Sequence, residues 1–332
     1  MMRLISAILC AFSLVLVTGG GPAGARTLKL GTVFAEDQPD TQGAYLFKQL
    51  VEEATGGEIE INVFPNSQLG DPKEMFSQMQ LGALEMAYYG INTMAWINGG
   101  EVFEITAIPF LYKSYDHMRC VLTSDLFAPL VAEAEQETGI KLLNINGDTP
   151  PRGLTTRDRP VWSAADFEGL KIRTAASPTV IAAMEKLGAL PQQVPFSELY
   201  VALRTGVVDA QENGSITVRT ASLYEVQDYY MKTDYIRDIA TFYVAAPVWE
   251  SLSEEERQIL HKASEQAGNY TTELVKRKLD ESVEFLASRM KVIMPDVQSI
   301  RTALEGVFEP MFEGTKWPEG LLQQVRDMEA CG

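Results

Sequence analysis

The sequence predicts an α/β protein with two lobes, and three observations lead to this fold class. Residues 27–64 give a strand, a helix and a second strand, which form a βαβ unit. The chain has 332 residues, and 332 − 25 = 307 remain after removal of a predicted leader, too many for one compact core. A long helical pattern near the C-terminus, about residues 253–290, would cross both lobes.

The first 25 residues predict a signal peptide. Arg3 is followed by an apolar run from Leu4 to Val17 and by the small residues Ala23-Gly24-Ala25. A membrane anchor is the alternative, but the run is shorter than the ~18 to 20 residues that span a bilayer. We therefore expect export to the periplasm and loss of Cys10 with the leader.

The charge of the chain restricts its partners. The net charge is −17, and loss of Arg3 makes it −17 − 1 = −18. This acidity argues against binding of nucleic acid or of an anionic membrane, because like charges repel at long range. An organic anion could still bind if basic side chains were concentrated in a cleft.

Cysteine and histidine residues are too few and too scattered for a metal site. Cys120 and Cys331 remain after the leader, and they form either a disulfide or two thiols, which the sequence leaves open. The two histidines, His117 and His261, lie far apart. We expect no metal and no cofactor.

Lobe I is predicted from residues 26–148 together with about 236–275. Thr27–Val33 and Glu58–Phe64 alternate as strands around a helix that ends at Gly56-Gly57. Asp71-Pro72 supplies an N-cap and a first-turn proline for the next helix. Further strands are expected at residues 84–89 and 140–145, with helical sequence over 115–138 between them.

Lobe II is predicted from residues 149–235. Leu170–Thr174 reads as a strand, Thr179–Leu187 and Ser197–Thr205 read as helices, and residues 235–244 lead back to lobe I. Ser253 and Glu256 form a capping box at the start of the long helix. About 37 residues would measure about 55 Å, although a break near Gly268 is the alternative. Residues from about 276 to 332 are expected to pack on lobe II and the hinge.

The sequence around one arginine in lobe II is typical of an anion-binding site. Arg173 ends the apolar stretch Leu170–Ile172, and the polar triplet Gln211-Glu212-Asn213 follows later in the same lobe. A guanidinium can bind a carboxylate through two hydrogen bonds. The alternative is a surface ion pair with an acid such as Glu168.

Several motifs, in order, resemble one family over nearly the whole mature chain. They are TLKLGTV (27–33), NVFPNSQLGDPKEM (62–75), QMQLGALEMA (78–87), IPFLYKSYDH (108–117), DFEGLKIR (166–173) and PFSELYVALRTGVVDAQEN (195–213). The chain resembles the solute-binding proteins of tripartite ATP-independent periplasmic (TRAP) transporters, the DctP-like receptors for organic acids. The resemblance implies two α/β lobes joined by hinge strands, a periplasmic-binding-protein-like fold, with a long scaffold helix across both.

The resemblance also implies a ligand site. It makes Arg173 the salt-bridge partner of a ligand carboxylate, with Asn213 in the cleft. Arg152 matches the end of a second family motif, but Pro150-Pro151 before it depart from the pattern. For each of the three, a purely structural role is the alternative.

Five further residues are candidates for the ligand site. Phe196 could pack on the ligand or in the core, and Glu36 and Tyr89 follow predicted strands of lobe I. Glu74 could orient an arginine across the cleft, or be a solvated helix acid. Arg237 could supply a third cation for a diacid.

The expected function is capture of an organic acid anion, a sugar acid, hydroxy acid or dicarboxylate, and its delivery to the TRAP permease subunits in the membrane. A monomer is expected. A sensory receptor for a membrane kinase is the first alternative. An enzyme such as a hydrolase or lyase is the second, but the sequence contains no Gly-x-Ser-x-Gly elbow and no phosphate-binding glycine loop.

Overall fold

The structure, a computed structural model, describes residues 25–329. The predicted leader before Ala25 and Cys331 therefore lie outside the described residues. Cys120 is disulfide-bonded.

Two mixed sheets of six strands each organise the chain. The first sheet has the order β2-β1-β3-β11-β4, with β5 also paired to β11, and the second has the order β12-β10-β6-β9-β7-β8. We call the body around the first sheet lobe I and the body around the second sheet lobe II. The strands of lobe I are β1 (Arg26–Gly31), β2 (Ile59–Phe64), β3 (Met86–Gly90), β4 (Ile140–Leu142), β5 (Gly147–Asp148) and β11 (Ile239–Ala245). The strands of lobe II are β6 (Arg152–Thr156), β7 (Lys171–Thr174), β8 (Leu190–Gln193), β9 (Ala210–Asn213), β10 (Tyr229–Ile236) and β12 (Lys291–Ile293).

Helices cover both sheets, and their order along the chain follows the βαβ pattern. They are α1 (Pro39–Ala54), α2 (Pro72–Gln80), α3 (Tyr115–Leu122), α4 (Ala128–Thr138), α5 (Pro178–Lys186), α6 (Leu199–Thr205), α7 (Ser215–Thr220), α8 (Ala246–Ser251), α9 (Glu254–Ala287), α10 (Val297–Ala303), α11 (Glu309–Phe312) and α12 (Leu321–Asp327). The predicted α/β class with two lobes is confirmed.

The chain crosses between the lobes where β5 gives way to β6 and returns where β10 gives way to β11. β10 and β11 are separated by Arg237-Asp238 alone. Strands on both sides of each crossing are paired within their own sheets, so the crossings are short links between the two lobes. β12 adds a strand from the C-terminal part of the chain to the second sheet.

Helix α9 runs without a break through Gly268, so the alternative of two helices is wrong. Its 34 residues measure about 51 Å at 1.5 Å per residue. It packs on α1 in lobe I and on α7 and β12 in lobe II. At Gly268 the absent side chain admits Asn146, whose Oδ1 would lie 2.0 Å from an added Cβ. The helix therefore braces both lobes, as the resemblance implied.

One expectation about local structure needs correction. The helical sequence over 115–138 is two helices, α3 and α4, since a short turn separates them. The polar triplet that contains Asn213 is the end of strand β9, and its neighbours in the sheet are β6 and β7. Strand β8, with a proline and two glutamines, was not predicted because its residues lack apolar alternation.

Candidate functional site

A cavity of about 390 Å³ lies between the two lobes. Its wall combines the ends of β3 and β7, the start of α2, and the crossing after β10. Its polar and charged lining residues are Asp71, Lys73, Glu74, Asn92, Thr93, Arg152, Arg173, Ser177, Gln193, Glu212, Asn213 and Asp238. The size is typical of a site for a small molecule.

Arg173 is held in this cavity wall at the end of β7. Its side chain is only 4 % exposed, and Nε donates a hydrogen bond of 2.7 Å to the carbonyl of Val194. Within residues 25–329 it forms no salt bridge, so the predicted alternative of a pair with Glu168 does not occur. Burial lowers the pKa of Arg173 to about 10, against the favourable charge of Glu212. The guanidinium therefore stays protonated at neutral pH, and among residues 25–329 it has no salt-bridge partner.

Arg152, in contrast, is already paired. Its guanidinium forms a bidentate ion pair with Glu212, and Nη2 also donates to the Glu212 carbonyl at 3.0 Å. Tyr235 donates a further hydrogen bond of 2.8 Å to the same carboxylate. Burial lowers the pKa of Arg152, but the charge and hydrogen bonds of Glu212 outweigh it and raise the pKa overall. Arg152 thus lines the cavity as half of a neutral pair.

Two amides border the cavity. Asn213 ends β9 and donates from Nδ2 to Gln211 at 2.6 Å, which leaves its Oδ1 without a hydrogen-bond partner among the described residues. Asn92 follows β3, and within the same residues its side chain makes no hydrogen bond. An amide can donate to a carboxylate and accept from a hydroxyl. Both can therefore serve a ligand that carries both groups.

Aromatic side chains close part of the cavity. Phe196, in a short turn before α6, meets Phe34 of lobe I edge to face, with ring centroids 5.8 Å apart. Tyr89 is buried at the end of β3, and its hydroxyl donates to the carbonyl of Pro72 at 3.3 Å. Both line the cavity, but the Tyr89 hydroxyl already has a partner.

Glu74 serves the helix that it begins. Its Oε2 accepts the backbone N–H of Asp71 at 2.9 Å, one half of a capping box at the start of α2. In the described part of the chain it pairs with no arginine. Glu74 lines the cavity, and capping is the role that its contacts show.

The structure does not bring two of the candidates to the cavity. Glu36 is exposed in the loop after β1, and Arg237 is half-buried, with Asp148 and Asp234 as its electrostatic neighbours. Neither lines the cavity. Arg237 and Asp238 are consecutive residues of the return crossing, and of the two only Asp238 lines the cavity.

Sequence reasoning did not single out eight of the twelve polar and charged residues of the cavity, and Asn92, Glu212 and Asp238 are among them. Glu212 lay inside a motif already singled out, and its place beside Arg152 follows from the pairing of β6 with β9. Asp238 carried no signal in the sequence, since a single acid between two strands is typical of a turn.

Neither a metal site nor a membrane span is found in the described part of the chain. Residues 25–329 contain no group of three or more His, Cys, Asp or Glu side chains arranged to hold a metal ion. Among these residues no helix combines the length and apolar character needed to cross a bilayer.

Comparison with known proteins identifies the family. The family model for bacterial extracellular solute-binding protein family 7, DctP, matches residues 30–315. The sialic acid-binding periplasmic protein SiaP of Vibrio cholerae is 32 % identical over 86 % of this chain and 88 % of its own length.

Two solved structures share the fold and part of the sequence. A TRAP periplasmic solute-binding protein from Polaromonas sp. JS666, bound to D-erythronate, has a TM-score of 0.84 and 26 % identity, covering 92 % of this chain and 99 % of its own. One from Roseobacter denitrificans OCh 114, with bound L-galactonate, has a TM-score of 0.82 and 28 % identity, covering 90 % and 98 %. The resemblance read from the motifs is thereby confirmed: the chain belongs to family 7 of the bacterial extracellular solute-binding proteins, the DctP family of TRAP transporter receptors.

Proposed function

We propose that this protein captures an organic acid anion in the periplasm and delivers it to the membrane subunits of a TRAP transporter. In this proposal residues 1–25 are a signal peptide, and the mature protein acts as a monomer without catalysis. The ligand sits in the cavity between the lobes, where Arg173 binds its carboxylate and Asn213 a neighbouring oxygen.

One observation carries the proposal: the buried guanidinium of Arg173 in the cavity wall has no salt-bridge partner among the described residues. An isolated charge in a site of low polarity is costly unless a partner arrives. A carboxylate that accepts hydrogen bonds from the two terminal nitrogens supplies that partner. The Nε contact to Val194 holds the guanidinium in place, so little side-chain entropy is lost on binding.

The relatives support the class of ligand. The ligands bound in the two solved structures, D-erythronate and L-galactonate, are both hydroxylated carboxylic acids. The cavity here offers the same two kinds of partner, a cation for the carboxylate and amides for hydroxyls.

Contacts between the lobes support a mechanism in which the lobes close around the ligand. Gln38 of lobe I donates to Thr217 at 3.1 Å and accepts from Thr220 at 2.6 Å. On the other side of the cavity, Ser197 donates to Asp71 at 3.3 Å. A ligand can drive closure only through its preference for the closed form, and about 5.5 kcal/mol shifts a population from 1:99 to 99:1. The closed form is then the one that the permease binds.

Isothermal titration calorimetry tests the proposal with matched pairs of ligands. D-erythronate and L-galactonate are compared with erythritol and galactitol, in which a CH₂OH group replaces the carboxylate. We expect at least one acid to bind and its polyol to bind at least about 100-fold more weakly, because a charge-assisted bidentate contact is lost. Polyol binding as tight as that of the acid would rule out the arginine site.

The enzyme alternative is tested on the same samples. After incubation, the bound acid is released by denaturation and analysed by mass spectrometry. Recovery of the unaltered acid fits a receptor, whereas a changed mass in the presence of protein alone would favour catalysis.

A further inference from the structure

Asp238 is a buried acid in the cavity wall. It takes no part in the proposed contact between Arg173 and the ligand carboxylate. It lies at the return crossing between β10 and β11 and is 6 % exposed. Its Oδ1 accepts the backbone N–H groups of Ile239 at 2.9 Å and of Asn92 at 3.4 Å. Its Oδ2 has no hydrogen-bond partner within residues 25–329 and is not sealed from the cavity. One oxygen is therefore fixed and the other is available.

The neighbouring strand leaves room for this second oxygen. An added Cβ at Gly90, the last residue of β3, would lie 1.8 Å from Oδ2 of Asp238. Gly90 lines the cavity as well. The carboxylate thus occupies the space that a side chain on β3 would take, and it is held there by backbone donors rather than by a flexible contact.

The charges of the cavity wall do not favour a second ligand carboxylate. The lining contains three cations, Lys73, Arg152 and Arg173, and four acids, Asp71, Glu74, Glu212 and Asp238. Arg152 is neutralised by Glu212, and Lys73 is exposed to solvent. Arg173 is therefore the one buried cation of this wall without a carboxylate partner among the described residues.

We propose that Asp238 determines specificity by accepting a hydrogen bond from a ligand hydroxyl and repelling a second carboxylate, so that the protein selects hydroxylated monocarboxylates over dicarboxylates. The inference rests on the proposed function. Asn92 lies beside Asp238 with its amide unengaged in the described residues, and the two together can bind a hydroxyl as donor and acceptor. A second carboxylate at this position would meet a like charge in a desolvated site, which weakens its binding. Burial raises the pKa of Asp238 to about 7, so the repulsion is strongest above pH 7, and the titrations are made at pH 8.

Matched pairs of acids test the selectivity. D-erythronate and meso-tartrate differ only at C4, where a CH₂OH group is replaced by a carboxylate, and L-galactonate and galactarate differ in the same way at C6. We expect calorimetry on the whole mature protein to show that each monocarboxylate that binds does so at least about 100-fold more tightly than its dicarboxylate.

The variant Asp238→Asn assigns the selectivity to this residue. Its amide oxygen can keep both backbone contacts, and its NH₂ group replaces Oδ2 with a donor that suits a carboxylate. In this variant we expect the dissociation constant of the dicarboxylate to exceed that of the monocarboxylate by about 10-fold or less. The thermal unfolding midpoint shows whether the variant is folded. Asp148→Asn is the matched control, since Asp148 is a buried acid at the other crossing that does not line the cavity.

The outcomes separate the inference from the proposed function. Equal binding of mono- and dicarboxylates by the unaltered protein would overturn the inference and leave the organic-acid site standing. If Asp148→Asn lowered the ratio of the dissociation constants as much as Asp238→Asn does, the inference would also be overturned. The selectivity would then depend on the net charge of the protein and not on Asp238. Binding of none of the four acids would overturn the proposed function and the inference with it.

Discussion

Replacing Arg173 by methionine should abolish tight binding of the acid without unfolding the protein. Methionine has a similar length and no charge, and it fits an apolar strand end. The change removes the cation and one hydrogen bond, that from Nε to the carbonyl of Val194. The fold loses no ion pair, because Arg173 forms none in the described residues.

The magnitude follows from the burial of this group. Loss of one partner of a buried, hydrogen-bonded ion pair costs about 3 to 5 kcal/mol. At about 1.4 kcal/mol for each tenfold change, the dissociation constant should rise by hundreds to thousands of times. Arg173→Lys should lie between the unaltered protein and Arg173→Met, since it keeps the charge but loses the planar fork.

Calorimetry with the acid that binds the unaltered protein measures the effect, and circular dichroism checks the fold. Arg204→Met is the control, because Arg204 is exposed on α6 and packs over the ring of Tyr200 away from the cavity. A folded Arg173→Met variant that binds the acid within about fivefold of the unaltered protein would refute the reasoning. With a pKa of about 10, Arg173 stays protonated between about pH 6 and pH 8, so a change of affinity in this range would come from Asp238, whose pKa is raised by burial to about 7.

Three further predictions concern stability, each measured by urea unfolding. Glu212→Gln should lower the unfolding free energy by about 3 kcal/mol, because it leaves the charge of Arg152 unpaired, and an unchanged value would contradict the pairing. Burial raises the pKa of Asp40 from 3.8 to about 6, so its contribution to stability is full below pH 3.8 and is lost as the pH rises through 6. The unaltered protein should therefore lose about 1.4 kcal/mol of unfolding free energy between pH 5 and pH 8 through this group, and Asp40→Asn should not show this loss. An equally steep pH dependence in the variant would refute this. Gly268→Ala should destabilise by about 1 to 3 kcal/mol despite the better helix propensity, since Asn146 must move and lose buried hydrogen bonds, and a gain in stability would count against it.

Most of the fold could be predicted because local chemistry determines it. The start of α2 follows from Asp71-Pro72, and the start of α9 from Ser253 and Glu256, whose capping contacts depend on neighbours within three residues. The continuity of α9 was harder to predict. Gly268 looks like a helix breaker in sequence, and its purpose is visible only when Asn146 is seen against it.

The site was predictable only in part, since its chemistry depends on which residues meet across the lobes. Arg173 could be singled out because a lone cation at the end of an apolar strand is unusual. Arg152 looked like an equal cation, but strand pairing places it beside Glu212 and cancels its charge. Arg237 and Asp238 could not be distinguished by sequence, because only the path of the return crossing decides which of them lines the cavity.

The contacts between the lobes indicate where the energy for closure must come from. Those at Gln38 and Asp71 are hydrogen bonds, each worth about 1 kcal/mol net. A third, at Glu104, opposes closure in part: its carboxylate accepts from Ser177 and Thr179, but Oε1 is buried without a partner, and burial raises its pKa. A ligand held only by Arg173 would bind lobe II in either form and could not close the cleft. Its other end must therefore engage groups outside lobe II, and the hydroxyl contact that we propose at Asp238 would then contribute to closure as well as to specificity.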